Sequence, residues 1–95
     1  MVQSVVGCKW SLAVLDAVRR GVHRPGEMER DCQGISNKVL HERLRKLERF
    51  GVLERRVFAE SPPHVEYHFS SFGEKFLGVL RAVEELQAAL DASDA

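Results

Sequence analysis

The chain has 95 residues, 44% of them apolar and 29% charged, with a formal net charge of zero. That length suits one domain, and the apolar content excludes a disordered polypeptide. No apolar run reaches the ~18–20 residues of a membrane span and no signal-peptide core opens the chain, so a cytoplasmic protein is expected.

The first helix is expected from Lys9 or Trp10 to Arg20, with Trp10, Leu12, Ala13, Leu15, Ala17 and Val18 as its apolar residues and Gly21 as its cap. Val22 and His23 can add a strand residue or two. Pro25 fits the first turn of a short second helix ending near Cys32, with Met28 and Cys32 facing inward. Gln33 and Gly34 make a turn, and Ser36 is a good N-cap for a third helix that Gly51 stops. Ile35, Val39, Leu40, Leu44, Leu47 and Phe50 recur at helical spacing on its buried side. Asn37, Lys38, His41 and Arg45 recur on the opposite side.

Leu53 to Phe58 and Val65 to Phe69 read as two strands around a proline-stiffened loop, Ala59 to Pro63. Val65, Tyr67 and Phe69 are expected inside, with His64, Glu66 and His68 on the outer face. From Phe72 to Asp91 the chain returns to helix. There Phe76, Val79, Val83, Leu86 and Leu90 form a seam spaced 3, 4, 3 and 4. The order of elements predicts an α+β, mainly helical fold: one winged helix-turn-helix over residues 1–95, with a two-stranded wing and a dimerisation helix over 72–91. One small domain has too little surface to cover a helix of ~30 Å, so the seam is read as a contact with a second copy.

Zero net charge conceals an uneven distribution. Residues 36–58 carry seven basic groups against three acidic ones, while residues 74–95 carry two against five. Double-stranded DNA responds to such a local field. On the third helix, Asn37 can pair with adenine and Lys38 or Arg45 with guanine, beside His41. The helix start at Ser36 offers N–H groups to phosphate. Arg55 and Arg56 on the first strand can touch the backbone, and His64 at the wing tip can reach the minor groove. The plainer readings are a solvated helix face and pairing of a strand arginine with Glu66. Arg43, Lys46 and Arg49 suit phosphate contact or pairing with Glu42 and Glu48 equally well.

Cys32 reads as a buried, inert thiol, and Cys8 beside Lys9 as a candidate redox sensor. Cys8, Cys32 and the histidines His23, His41, His64 and His68 show no metal-ligand spacing, so no metal or other cofactor is expected. No catalytic arrangement stands out, and the chain is not read as an enzyme.

Four segments carry a family resemblance: Gly7-Cys8-Lys9-Trp10, Gly34-Ile35-Ser36 with the run from Leu40 to Glu48, Pro62-Pro63-His64-Val65-Glu66-Tyr67, and Gly73. Through them the chain resembles the HxlR-type winged-helix regulators, relatives of the MarR group found mainly in bacteria. The resemblance implies a homodimeric transcriptional regulator. Departures from the family pattern are Cys8 in place of glycine, His64 where arginine is frequent and Pro25 where phenylalanine is usual. Some members sense oxidants or electrophiles through a cysteine ahead of this point, which the resemblance does not carry over. The reading is thus a sequence-specific DNA-binding regulator, acting as a homodimeric repressor on a two-fold operator, with any small-molecule or redox effector unidentified. The alternative is a winged-helix protein-interaction module without DNA binding.

Overall fold

The computed structural model describes residues 9–93. Its elements are α1 (Lys9–Arg19), α2 (Pro25–Asp31), α3 (Asn37–Arg49), β1 (Leu53–Phe58), β2 (His64–Phe69) and α4 (Ser71–Ser93). The strands pair antiparallel from Leu53↔Phe69 to Phe58↔His64.

Each boundary has a local cause. Gly21 (φ 92°) ends α1, its N–H donating to the Val18 carbonyl at 3.0 Å. Pro25 opens α2, where its missing N–H costs nothing. The Ser36 hydroxyl accepts from Val39 N–H at 3.1 Å and starts α3. Gly51 (φ 78°) turns the chain out of α3 in a conformation that L side chains rarely adopt. Ser70 then joins two elements: its hydroxyl accepts from Gly73 N–H at 2.8 Å and donates to the Gly51 carbonyl. The start of α4 is thereby tied to the end of α3.

The core lies between α1, α2, α3 and the inner face of the ribbon. Val14, Leu15, Met28, Leu40, Leu44, Leu47, Val52 and Leu53 are sealed from solvent, and Trp10, Val39 and Phe50 pack around them. Removing apolar surface of this kind from water stabilises by roughly 25 cal/mol per Å². Met28 and Cys32 face inward as the sequence predicts. Val22 and His23 form no strand. They contribute one ladder-like bond, from Tyr67 N–H to the His23 carbonyl at 2.8 Å.

Two expectations need correction. The seam of α4 divides, because Phe76 is only 3% exposed and sits in the core of its own domain with Leu80. Gly73 is what lets α4 approach so closely, since a Cβ there would collide with the backbone carbonyl of Val52. Beyond Leu80 every described residue of α4 is exposed, so its last turns project from the domain. The outer face of β2 is not open either. His64, Glu66 and His68 are all half-buried, because the segment leading into α2 lies across them.

Candidate nucleic-acid interface

Helix α3 presents two polar zones. At its leading end Asn37 and Lys38 are exposed. The Asn37 amide donates to Glu29 of α2 at 3.3 Å, and Lys38 has no bond or ion pair among the described residues. Ser36 uses its hydroxyl as the cap. Further along, His41, Arg45 and Glu48 follow at intervals of four and three, a single stripe on one side of the helix. That stripe forms one wall of an open groove of about 610 Å³. Arg55 of β1 and the wing residues Pro63, His64 and Val65 line the other side, with Pro25 and Tyr67 completing it.

Arg45 and Arg55 are exposed, and neither makes a hydrogen bond or ion pair among the described residues. The other strand arginine does not join them. Arg56 is outside the groove lining and is 3.6 Å from Glu54 on its own strand. The cross-strand bond to Glu66 suggested by the sequence does not form, although Arg56 lies opposite that residue.

Glu66 is taken by histidines. Its two oxygens accept from His64 Nε2 at 3.1 Å and His68 Nε2 at 2.8 Å, which hold its carboxyl below the usual carboxylate range, His68 most strongly. His68 stacks on His23 with ring centres 3.9 Å apart, and His23 Nδ1 donates to the Tyr67 carbonyl at 2.9 Å. His64 stacks on Phe58 at 4.7 Å. Arg24 Nη2 lies 3.4 Å from the same His64 nitrogen, where it can donate only if that nitrogen is unprotonated. The side chain of His64 is 17% exposed. It is a half-buried wall of the groove rather than the freely reaching wing-tip group expected from the sequence. Among the described residues, no three histidine, cysteine or carboxylate groups are placed to hold a metal ion.

The remaining basic groups divide. Arg20 bridges α1 and α2 by donating to Asp16 at 2.9 Å and to both oxygens of Asp31. These bonds lower the Asp31 carboxyl, as those from Arg19 and Arg20 lower Asp16. Arg43 is half-buried with an Nε that has no partner, and Lys46 lies over the Phe50 ring. Burial pushes the Cys32 thiol up, which suits an unreactive side chain. Cys8, the candidate sensor, lies outside the described residues, as does any bridge from it to Cys32.

The sequence did not single out Glu48, Glu66, His68 or the Arg20 bridge. Glu48 was detectable, since it continues the His41–Arg45 stripe by one turn. The bonds of His64 and His68 to Glu66 were within reach too, since strand alternation puts all three on one face, whereas the stack of His68 on His23 joins residues more than forty positions apart.

An exposed polar helix face beside a two-stranded ribbon, on a three-helix core with a short turn between α2 and α3, is the architecture of the winged helix-turn-helix proteins. The chain belongs to the HxlR-like helix-turn-helix family, whose sequence profile matches residues 5–93. It is 38% identical over 76 residues to the HTH-type transcriptional regulator YtcD of Bacillus subtilis, covering 80% of this chain and 60% of that protein. It is 39% identical over 70 residues to the HTH-type transcriptional regulator YtfH of Escherichia coli, covering 74% and 56%. The chain thus spans less than two thirds of the length of these relatives. Among solved structures, a MarR-family protein from Enterococcus faecalis V583 superposes with a TM-score of 0.89 at 32% identity, covering 99% of this chain and 86% of that one. No described helix is long and apolar enough to cross a membrane.

Proposed function

We propose that this chain is a DNA-binding transcriptional regulator that acts in the cytoplasm as a homodimer. One observation carries the reading most: Arg45 of the α3 stripe and Arg55 of the wing line a common groove, and neither guanidinium group has an acceptor among the described residues. Helix α3 enters the major groove, where Asn37 and Lys38 at its leading end are the base readers. The wing lies against the neighbouring minor groove.

Dimerisation is supported by the projecting half of α4. Val83, Leu86 and Leu90 there, with Val79 just before it, are 40%, 64%, 53% and 46% exposed and continue the 3–4 spacing that pairs two helices. Two copies joined there would present two α3 helices to half-sites about one turn, ~34 Å, apart. Repression by obstructing polymerase is the simplest outcome of such an occupancy.

The test is binding of the purified chain to promoter-derived duplex by mobility shift, between about 50 and 200 mM salt. Binding that weakens steeply with salt, with a footprint of two-fold symmetry, is expected. No binding at the lowest salt would leave a winged-helix protein-interaction module as the better description.

A further inference from the structure

If α3 occupies a major groove and the wing the adjoining minor groove, the sugar–phosphate strand dividing those grooves must pass between helix and wing. The groove that His41, Arg45 and Glu48 line from one side and Arg55 and His64 from the other lies on that path. We propose that this groove is a phosphate seat, in which Arg45 and Arg55 grip one backbone strand from opposite walls while Glu48 opposes it. The proposal rests on the DNA-binding reading and reassigns Arg45, which the sequence alone suggests as a base reader.

Three features of the site fit a phosphodiester. Neither guanidinium group has an acceptor among the described residues, whereas Arg19 and Arg20 are ion-paired. A planar fork of donors matches two phosphate oxygens. The two arginines come from different elements, so a strand lying between them meets a donor on each side. By contrast, Asn37 and Lys38 lie two turns earlier on α3 and do not line the groove, which leaves them for the base edges.

Glu48 lines the same groove yet forms no ion pair with either arginine. A carboxylate there repels an entering phosphate without neutralising its receptor. It acts equally on every sequence, so it lowers affinity for all duplexes and leaves discrimination among them unchanged.

The experiment uses fluorescence anisotropy with two labelled probes, a random-sequence duplex and a duplex chosen by in vitro selection on the parent protein. Each phosphate contact contributes roughly 0.9 to the slope of log K against log salt. Arg45→Ala and Arg55→Ala are each expected to reduce that slope by about one, with equal fold losses on both probes. Arg45→Lys keeps the charge and is expected to keep the slope. Glu48→Gln is expected to tighten both probes by the same factor.

Circular dichroism melting verifies that each variant is folded, and Arg45→Lys and Glu48→Gln remain informative if an alanine variant is not. An Arg45→Ala protein that loses affinity only for the selected probe, with an unchanged salt slope, would make Arg45 a base reader and overturn the proposal. So would a Glu48→Gln protein of unchanged affinity on both probes. If the parent binds neither probe at low salt, the DNA-binding reading itself falls, which is a distinct result.

Discussion

The two halves of α4 follow one another in a single unbroken helix, yet they stand in opposite relations to the domain. From Ser71 to Leu80 the helix is docked: Gly73 lies against the Val52 carbonyl, and Phe76 and Leu80 are in the core. From Arg81 to Ser93 every residue is exposed, although its apolar spacing continues. The arginines divide in the same manner. Arg19 and Arg20 are satisfied by Asp16 and Asp31, whereas Arg45 and Arg55 have no partner among the described residues. The side chains that close the domain and those that face outward are thus separable by whether the fold supplies their partner. Residue type alone does not separate them.

The docked half gives the largest expected effect. Gly73→Ala would push a methyl group into the Val52 backbone, which cannot move without disturbing the turn that Ser70 holds to Gly51. A destabilisation of about 3 kcal/mol is expected, which for a domain of this size lowers Tm by more than ~10 °C. Thermal melting followed by circular dichroism measures it. An alanine variant that melts with the parent would show that α4 is not seated as described.

The projecting half should respond in another currency. Val83→Glu leaves the core untouched but places a charge where a second helix is proposed to pack. Light scattering should report a monomer. Affinity for a two-fold site should fall by about 100-fold or more, because the two half-sites are then bound independently. A Val83→Glu dimer of unchanged affinity would mean that the exposed seam is not the contact between copies.

The sequence disclosed the elements well because their signals are local. Ser36, Gly51 and Pro25 act within one turn of themselves, and the α3 stripe follows from period alone. It disclosed the division of α4 poorly, since Phe76 and Val79 look alike in a 3–4 repeat and only the position of Val52 and β2 distinguishes them. The same holds for His64, whose burial depends on Phe58 across the wing and on Arg24 in a segment forty residues earlier. Arg20 is structural because Asp16 lies one turn before it and Asp31 closes on it from α2, whereas Arg45 pairs with no acid among the described residues.

That pair of arginines sharpens the comparison directly. Arg20→Ala removes the bridge between α1 and α2 but lies outside the groove, so it should lower stability only slightly, as exposed ion pairs do. Its affinity for DNA should match the parent's. Arg45→Ala should show the reverse, with Tm unchanged and binding weakened. Urea denaturation and anisotropy on the same two preparations decide it, and an Arg20→Ala protein with weakened binding but full stability would erase the distinction.

The smallest effect concerns Glu66, the carboxylate held between His64 and His68. These partners depress its titration in the folded protein relative to the unfolded chain, whose ordinary value is 4.5. A depressed carboxyl contributes stability that is complete above that unfolded value and disappears as pH falls through the folded one. Asp16 and Asp31 are depressed as well, so the acid limb of the parent alone does not identify Glu66. Comparison with Glu66→Gln does, because both proteins keep the two aspartates. Above about pH 5 the parent should melt higher than the variant, and the gap should narrow as the pH is lowered towards about 3. A gap that stays constant across that window would mean that the histidine bonds to Glu66 do not depend on its charge, and that its place on the covered face of β2 is set by packing alone.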